Sequence, residues 1–204
     1  MVSELLSDLA GRGLDFSEPR LYVLDGGKAL AAAVRRHAGE AALIQRCQIH
    51  KRRNVLDHLP EEHRPAVKKA LQNAYAMTEY ADAKRGLERL HRELMDLNPS
   101  AARSLEEGLE ETLTVHRLRV PLKLRRTLAS TNVIESAFSI VETVCRNVKR
   151  WHGGDQMERW VGSGLLVAER KFRKVRGYRE IPLLMAFLTN AVSKKPLAKG
   201  VAAA

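Results

Sequence analysis

The sequence predicts an α/β fold that is mainly helical. Two short apolar runs, residues 21–24 and 41–44, have the length of buried strands, and the segment between them has helical periodicity. This order of strand, helix and strand is typical of a parallel sheet. After residue 50 the strand signals almost cease, and apolar residues recur at helical spacing. The 204 residues are 45% hydrophobic and 29% charged, which is enough apolar sequence for a substantial core.

The elements before residue 50 are predicted from local patterns. Apolar residues at helical spacing from Val2 to Leu9 indicate a first helix, and the glycines at positions 11 and 13 end it. The first strand stops at Asp25 and the two glycines that follow, which is a turn sequence. A second helix, from Ala29 to His37, leads to the second strand.

The rest of the chain is predicted to be helical. Apolar stripes indicate helices near residues 55–59, 67–75, 83–94, 105–113, 133–148, 157–172 and 181–192. Residues 193–204 are expected to be a disordered tail. Two parallel strands are marginal as a sheet and need cover on both faces. We therefore expect further strands, either upstream of Met1 in a longer ancestor or from another chain.

The chain is strongly basic, with 35 Lys and Arg against 24 Asp and Glu and a net charge of +11. Clustered cations gain affinity for nucleic acid by releasing its condensed counterions, so a polyanion such as nucleic acid is the expected partner. A solvated basic surface that serves only solubility is the alternative. No apolar run has the length of a membrane span, and no membrane partner is expected. Two cysteines are too few for a disulfide framework, which predicts a cytoplasmic location.

Asp25 is the first candidate for chemistry, because open α/β sheets place catalytic groups and ligands at the carboxyl ends of their strands. Such a carboxylate could bind a metal ion. Ordinary turn chemistry, with Asp25 capping the next helix, is the alternative.

Cys47 and His50 follow the second strand with a spacing that fits half of a zinc site, but no second half is evident. A buried thiol beside a hydrogen-bonded histidine is the other interpretation. Three cations come next, Lys51, Arg52 and Arg53. They are unfavourable at the start of a helix unless an anion lies close, either a nucleic acid phosphate or a cluster of carboxylates with a metal ion.

Glu135 near the start of a later helix is the second candidate carboxylate. Asn132 and Glu135 have the spacing of a capping box, which is the structural alternative. Thr131 and Asn132 precede the carboxylate and could hold substrate. Cations bracket this segment in the sequence and suit phosphodiester chemistry, in which they position the DNA backbone. They include Arg125, Arg126, Arg146, Lys149 and Arg150.

These three motifs, in this order and spacing, resemble the Mutator-type transposases of bacterial insertion sequences. The resemblance runs from about Val2 to Leu188. It implies a partial RNase H-like core, whose first strands are missing here, with an all-helical insertion. The implied division is a partial α/β core at 1–58, the insertion at 59–122 and the C-terminal helices of the core at 123–192.

The resemblance also implies site residues and a cofactor. Asp25 matches the second Asp of a catalytic Asp, Asp, Glu triad, and Glu135 matches the Glu. Both would bind Mg²⁺ in a two-metal site. Cys47 and His50 match a motif beside the catalytic centre. The family's first Asp lies upstream of the helix that begins at Val2, and Asp8 and Asp15 cannot replace it because neither ends an apolar strand.

The expected function is therefore that of a DNA transposase that cleaves and joins strands with Mg²⁺, here as a truncated copy that is inactive alone. The intact parent is expected to be a homodimer. One alternative is a non-catalytic basic fragment that binds DNA or dimerises with a full-length transposase and regulates it. A weaker alternative is a structural domain stabilised by zinc on Cys47 and His50.

Overall fold

The computed structural model describes residues 2–193, which form twelve α-helices and one sheet of two parallel strands. The N-terminal elements are α1 (Val2–Gly11), β1 (Arg20–Leu24), α2 (Lys28–Ala38), β2 (Ala42–Arg46) and α3 (Gln48–Asp57). The helices that follow are α4 (Arg64–Ala76), α5 (Tyr80–Leu97), α6 (Pro99–Glu106), α7 (Leu109–Thr112), α8 (Thr114–Arg117), α9 (Leu122–Leu128), α10 (Asn132–Cys145), α11 (Gly154–Glu169) and α12 (Ile181–Ser193). The predicted small parallel sheet in a mainly helical chain is confirmed. The predicted tail lies outside the described residues except for Ser193, which ends α12.

The two strands are covered on both faces because their side chains alternate. Ile44 faces one core, in which Leu6 of α1 and Val34 of α2 are buried. Leu43 points to the opposite face, where it joins a second core with Val115 and residues of α12. This cover buries all of β2 except Ala42, whereas in β1 only Leu24 is buried.

Helices α3 to α6 pack around a third core. Leu71, Leu87, Leu94 and Leu105 are fully buried there, and Val55 links α3 to this core. In α5 the buried residues recur at spacings of three or four, which is the apolar stripe that the sequence predicts.

The predicted helix at 105–113 is wrong as a continuous element. Helix α6 ends at Glu106, and the chain then turns through Gly108, whose φ is +70°. Two helices of one turn each, α7 and α8, follow. Both pack against β2. Contacts with the sheet therefore override the local periodicity, as they often do.

The last helices differ from the prediction at their ends. Helix α10 ends at Cys145 instead of reaching Val148, and α11 ends at Glu169 instead of Phe172. The two helices pack closely, since a Cβ atom at Gly164 would lie 3.0 Å from the Val141 Cα. Helix α9 was not predicted. Among residues 2–193, no helix combines the length and the apolar character that crossing a membrane requires.

Gly177 is expected to be irreplaceable, because its φ is +81° and an added Cβ would lie 2.4 Å from the Leu124 backbone nitrogen. We expect Gly177→Ala to lower the free energy of unfolding by about 3 kcal/mol, from left-handed strain together with overpacking. Gly13→Ala is the control, because φ there is +98° but no atom lies within 4 Å. It should cost about 1 kcal/mol. Urea denaturation measures both, and equal losses would contradict the clash with Leu124.

Candidate active site

The two strands end side by side at one edge of the sheet. Leu24, the last residue of β1, pairs with Arg46, the last residue of β2. The pairing continues one step further, because the Cys47 backbone N–H donates to the Leu24 carbonyl at 2.7 Å. Asp25 follows Leu24 directly. Its backbone therefore lies beside that of Cys47 at the carboxyl edge of the strands, where α/β sheets commonly bind ligands.

Asp25 is exposed and shapes the turn after β1. Its Oδ1 accepts a hydrogen bond of 2.8 Å from the Gly27 backbone N–H. This bond confirms the alternative of ordinary turn chemistry at Asp25. Helix α2 has Gly27 as its N-cap, with no side-chain cap, so only the part of that alternative in which Asp25 caps the helix is wrong. Within residues 2–193 the other carboxylate oxygen, Oδ2, makes no hydrogen bond, which leaves it able to bind a cation.

Thr131 joins the predicted motif residues of two distant segments. Its hydroxyl lies 3.4 Å from the Cys47 sulfur and 3.4 Å from His50 Nδ1. The same hydroxyl donates a hydrogen bond to Glu135 Oε1, which is 3.8 Å from His50 Nδ1. Thr131 and Cys47 are buried, whereas Glu135 is exposed. The carboxylate of α10 is thus held at the start of α3.

The capping box predicted at Asn132 is wrong. Thr131 is the N-cap residue of α10, and Asn132 is its first helical residue. The Thr131 side chain does not cap the backbone but binds the carboxylate of Glu135. The Glu135 carboxylate therefore does not serve as a helix cap.

Both predicted catalytic residues are connected to Cys47. Asp25 is connected through the backbone of Leu24, and Glu135 is connected through Thr131. In the part of the chain that the structure describes, no three His, Cys, Asp or Glu side chains form a group that could hold a metal ion. Asp25 and Glu135, the predicted metal ligands, therefore do not form such a group with a third side chain among the described residues.

Lys51 departs from its predicted role in DNA binding, because its side chain is fully buried. Its ammonium group donates to the backbone carbonyls of Ser104 and Glu107. Burial, followed by the charge of Arg46, lowers the pKa of Lys51 to about 8. Lys51 therefore connects α3 to the end of α6 and is not available to DNA.

The other cations near the site divide into buried and accessible groups. Arg125 is buried, and its Nη1 donates to the Thr78 carbonyl at 2.8 Å. Arg126 and Arg53 are exposed, and Arg52 is half-buried. These three side chains could contact a DNA backbone near α3 and α9.

The predicted cations Arg146, Lys149 and Arg150 are all exposed, but they lie beyond the C-terminal end of α10. Ten residues separate Glu135 from Cys145, which is about 15 Å along a helix. The structure therefore does not bring this cluster to the candidate carboxylates. It could contact only a more distant part of a DNA strand.

Glu107 was not predicted, although it connects the helical segment to the sheet. Arg46 donates to its carbonyl at 2.9 Å, and the Lys28 ammonium group lies 3.5 Å from its carboxylate. Burial alone would raise the pKa of Glu107, but the charges of Arg46, Lys51 and Lys28 lower it. The position of Arg46 at the end of a buried strand was the available sequence signal, since a cation there needs a partner.

The parallel strand pair has Asp25 and Cys47 directly after its strand ends, and His50 and Glu135 lie near Cys47. The chain with this arrangement matches a family of transposases. Residues 2–170 match the family described as "Transposase, Mutator family". The chain therefore belongs to the Mutator family of transposases, which confirms the resemblance based on the three motifs.

Individual relatives are transposases of bacterial insertion sequences. The chain is 33% identical over 138 residues to the transposase for insertion sequence element IST2 of Acidithiobacillus ferrooxidans, covering 68% of this chain and 45% of that protein. It is 36% identical over 132 residues to the ISRM5 transposase of Rhizobium meliloti, covering 65% and 32%. Identity to the IS256 transposase in transposon Tn4001 of Staphylococcus aureus is 29% over 129 residues, covering 62% and 32%. The matches thus span less than half the length of these relatives.

The buried ammonium group of Lys51 predicts a pH dependence of stability. Because its pKa is about 8 in the folded protein and 10.5 ordinarily, the unfolded chain binds more protons between these values. We therefore expect the free energy of unfolding, measured relative to Lys51→Met, to rise from pH 8 to pH 10. Lys69→Met, at an exposed position of α4, is the control and should show no such rise. If the difference in free energy of unfolding between wild type and Lys51→Met did not change with pH, this result would contradict the burial cost.

Proposed function

We propose that this chain carries part of the catalytic centre of a metal-dependent DNA transposase, with Asp25 and Glu135 as metal ligands. The connection of Glu135 through Thr131 to Cys47, beside the end of β1, is the observation that supports this most directly. Carboxylate oxygens are the ligands that Mg²⁺ prefers, and both residues are exposed. Bound Mg²⁺ would polarise the phosphodiester and stabilise the charge that develops on it.

The side chains around Glu135 would orient its carboxylate. The Thr131 hydroxyl donates to Oε1, and His50 Nδ1 lies 3.8 Å from the same oxygen. These contacts leave Oε2 for an ion. In the proposed reaction, water attacks the phosphodiester at the transposon end, and the freed 3′ hydroxyl then attacks target DNA.

The accessible cations would hold the DNA backbone without reading its sequence. Near the carboxylates these are Arg52, Arg53 and Arg126, and Arg146, Lys149 and Arg150 would hold a more distant segment. Lys51 and Arg125 would not contact DNA, because both are buried and bonded to backbone carbonyls of the protein. A homodimer of the intact transposase stays a prediction.

We also propose that β1, α2 and β2 belong to an RNase H-like core, that residues 59–122 are its helical insertion and that 123–192 return to the core. The parallel pairing of the strands supports the first part. The Ala129 carbonyl accepts a 2.9 Å hydrogen bond from the Gln48 backbone N–H at the start of α3. This contact supports the proposal that residues 123–192 return to the core.

A shared ion predicts one Mn²⁺ site that both carboxylates support. We expect wild type to bind one Mn²⁺, Asp25→Asn and Glu135→Gln each to weaken that binding about tenfold, and the double variant to bind more weakly than either, because each change removes one ligand of the same ion. Glu142→Gln, at an exposed position on the same helix, is the control. Isothermal titration calorimetry measures both affinity and stoichiometry. Two ions bound to wild type, with each single variant losing one of them and keeping the other at unchanged affinity, would show independent ions and would contradict the proposed site.

The chain alone is expected not to cleave DNA. Two carboxylates provide too few ligands for a two-metal site, and residues 2–193 offer no third member for a metal group. A supercoiled plasmid incubated with the chain and Mg²⁺ or Mn²⁺ should therefore stay uncut. Nicking that disappears in Asp25→Ala would contradict this expectation.

A non-catalytic DNA-binding role is the second candidate, and the exposed cations after α10 favour it. Binding through these side chains needs no divalent ion. DNA affinity that is equal in EDTA and in Mg²⁺ would support this role, whereas affinity that requires Mg²⁺ and Asp25 would support the catalytic one. A zinc domain is less well supported, because Cys47 and His50 contact Thr131 rather than another Cys or His.

A further inference from the structure

A cavity of about 470 Å³ lies between helices α3, α4, α8 and α9, and it is separate from the candidate carboxylates. We name it the α4–α9 pocket. The residues used below are Ile49, Arg52, Tyr75, Ala76, Leu122 and Arg126, all of which line it. The volume is in the range of pockets that bind small organic ligands.

The charge of the α4–α9 pocket favours an anion. Arg52, Arg125 and Arg126 line it, and no Asp or Glu does. Among residues 2–193, neither Arg52 nor Arg126 forms an ion pair, unlike the buried Arg46, which meets Glu107. Guanidinium groups bind phosphate with paired hydrogen bonds, so the two unpaired arginines suit a phosphodiester.

The walls of the pocket favour a ligand with a flat apolar part. Ile49, Leu122 and Ala76 contribute aliphatic surface, and Tyr75 contributes an aromatic ring. A phosphate group alone would leave this surface without a partner. Nucleobases pack against aromatic and aliphatic side chains of this kind.

The pocket lies directly beside the candidate active site. Gln48 and Ala129 line it, and a backbone hydrogen bond of 2.9 Å joins these two residues. In the sequence, His50 comes shortly after Gln48, and Thr131 comes shortly after Ala129. A DNA strand bound at Glu135 would therefore lie close to the pocket.

We propose that the α4–α9 pocket binds one unpaired nucleotide of the DNA substrate, with the base against Tyr75 and Leu122 and the phosphate on Arg52 and Arg126. The base must be unpaired because a duplex cannot enter a cavity of this size. This inference rests on the proposed function, since DNA must be the substrate.

The experiment compares two single-stranded oligonucleotides of equal length, an oligothymidylate and its abasic counterpart, by fluorescence anisotropy in EDTA. Wild type should bind the strand with bases about tenfold more tightly than the abasic strand. Ala76→Leu narrows the pocket from an exposed position at the end of α4 without adding an aromatic ring, and it should reduce this preference. Leu122→Ala removes apolar surface that the base would contact and should reduce the preference as well, which guards against misfolding of one variant.

Charge variants test the phosphate contacts. Arg52→Gln/Arg126→Gln should weaken both strands, and more so than Arg36→Gln/Arg89→Gln, which removes the same charge from exposed positions elsewhere. Equal affinity of wild type for both strands, or an unchanged base preference in both Ala76→Leu and Leu122→Ala, would overturn the proposal. Because no metal is present, failure here is distinct from failure of the Mn²⁺ site, which calorimetry on Asp25 and Glu135 measures separately.

Discussion

The candidate site depends on hydrogen bonds that join the end of β2 to the start of α10. Cys47 extends the strand pairing through its backbone N–H and contacts Thr131, 84 residues further along the chain, through its sulfur. Next to it, Gln48 binds the Ala129 carbonyl through the backbone. These contacts position the first turn of α10, and with it Glu135, next to Cys47 and His50 at the end of β2. Without them Glu135 would not be held near the sheet.

A second set of buried polar contacts joins the helical segment to the same strand. The Gln45 side chain, fully buried, donates to the Thr112 carbonyl at 2.9 Å and accepts a 2.9 Å hydrogen bond from the Val115 backbone N–H. The Thr114 hydroxyl donates to the Ile44 carbonyl. Backbone groups of α7 and α8 are thus satisfied by β2 instead of by a longer helix, which explains why this segment is broken into single turns. Removing one partner from such buried contacts leaves the other unsatisfied, so each is costly to lose.

Much of the fold could be predicted from the sequence because the apolar residues are periodic. The stripe from Ala83 to Leu94 became one helix, and the runs at 21–24 and 41–44 became the two strands. The stripe at 105–113 failed because the Thr112 carbonyl is bonded to the side chain of Gln45, 67 positions away, which no local pattern contains. The prediction that Lys51 binds DNA was wrong for the same reason. It lies in a basic run, yet its partners are carbonyls at the end of α6. The motif residues Cys47, His50, Thr131 and Glu135 were found from spacing, but that Thr131 would connect them required coordinates.

The central claim is that Asp25 and Glu135 share one divalent cation. Diffraction from crystals soaked in Mn²⁺ tests it most directly, because the anomalous signal locates the ion without assumptions about the protein. We expect one anomalous peak within coordination distance of an oxygen of each carboxylate. Separate peaks at the two residues, or Mn²⁺ bound elsewhere with neither carboxylate engaged, would contradict a common site.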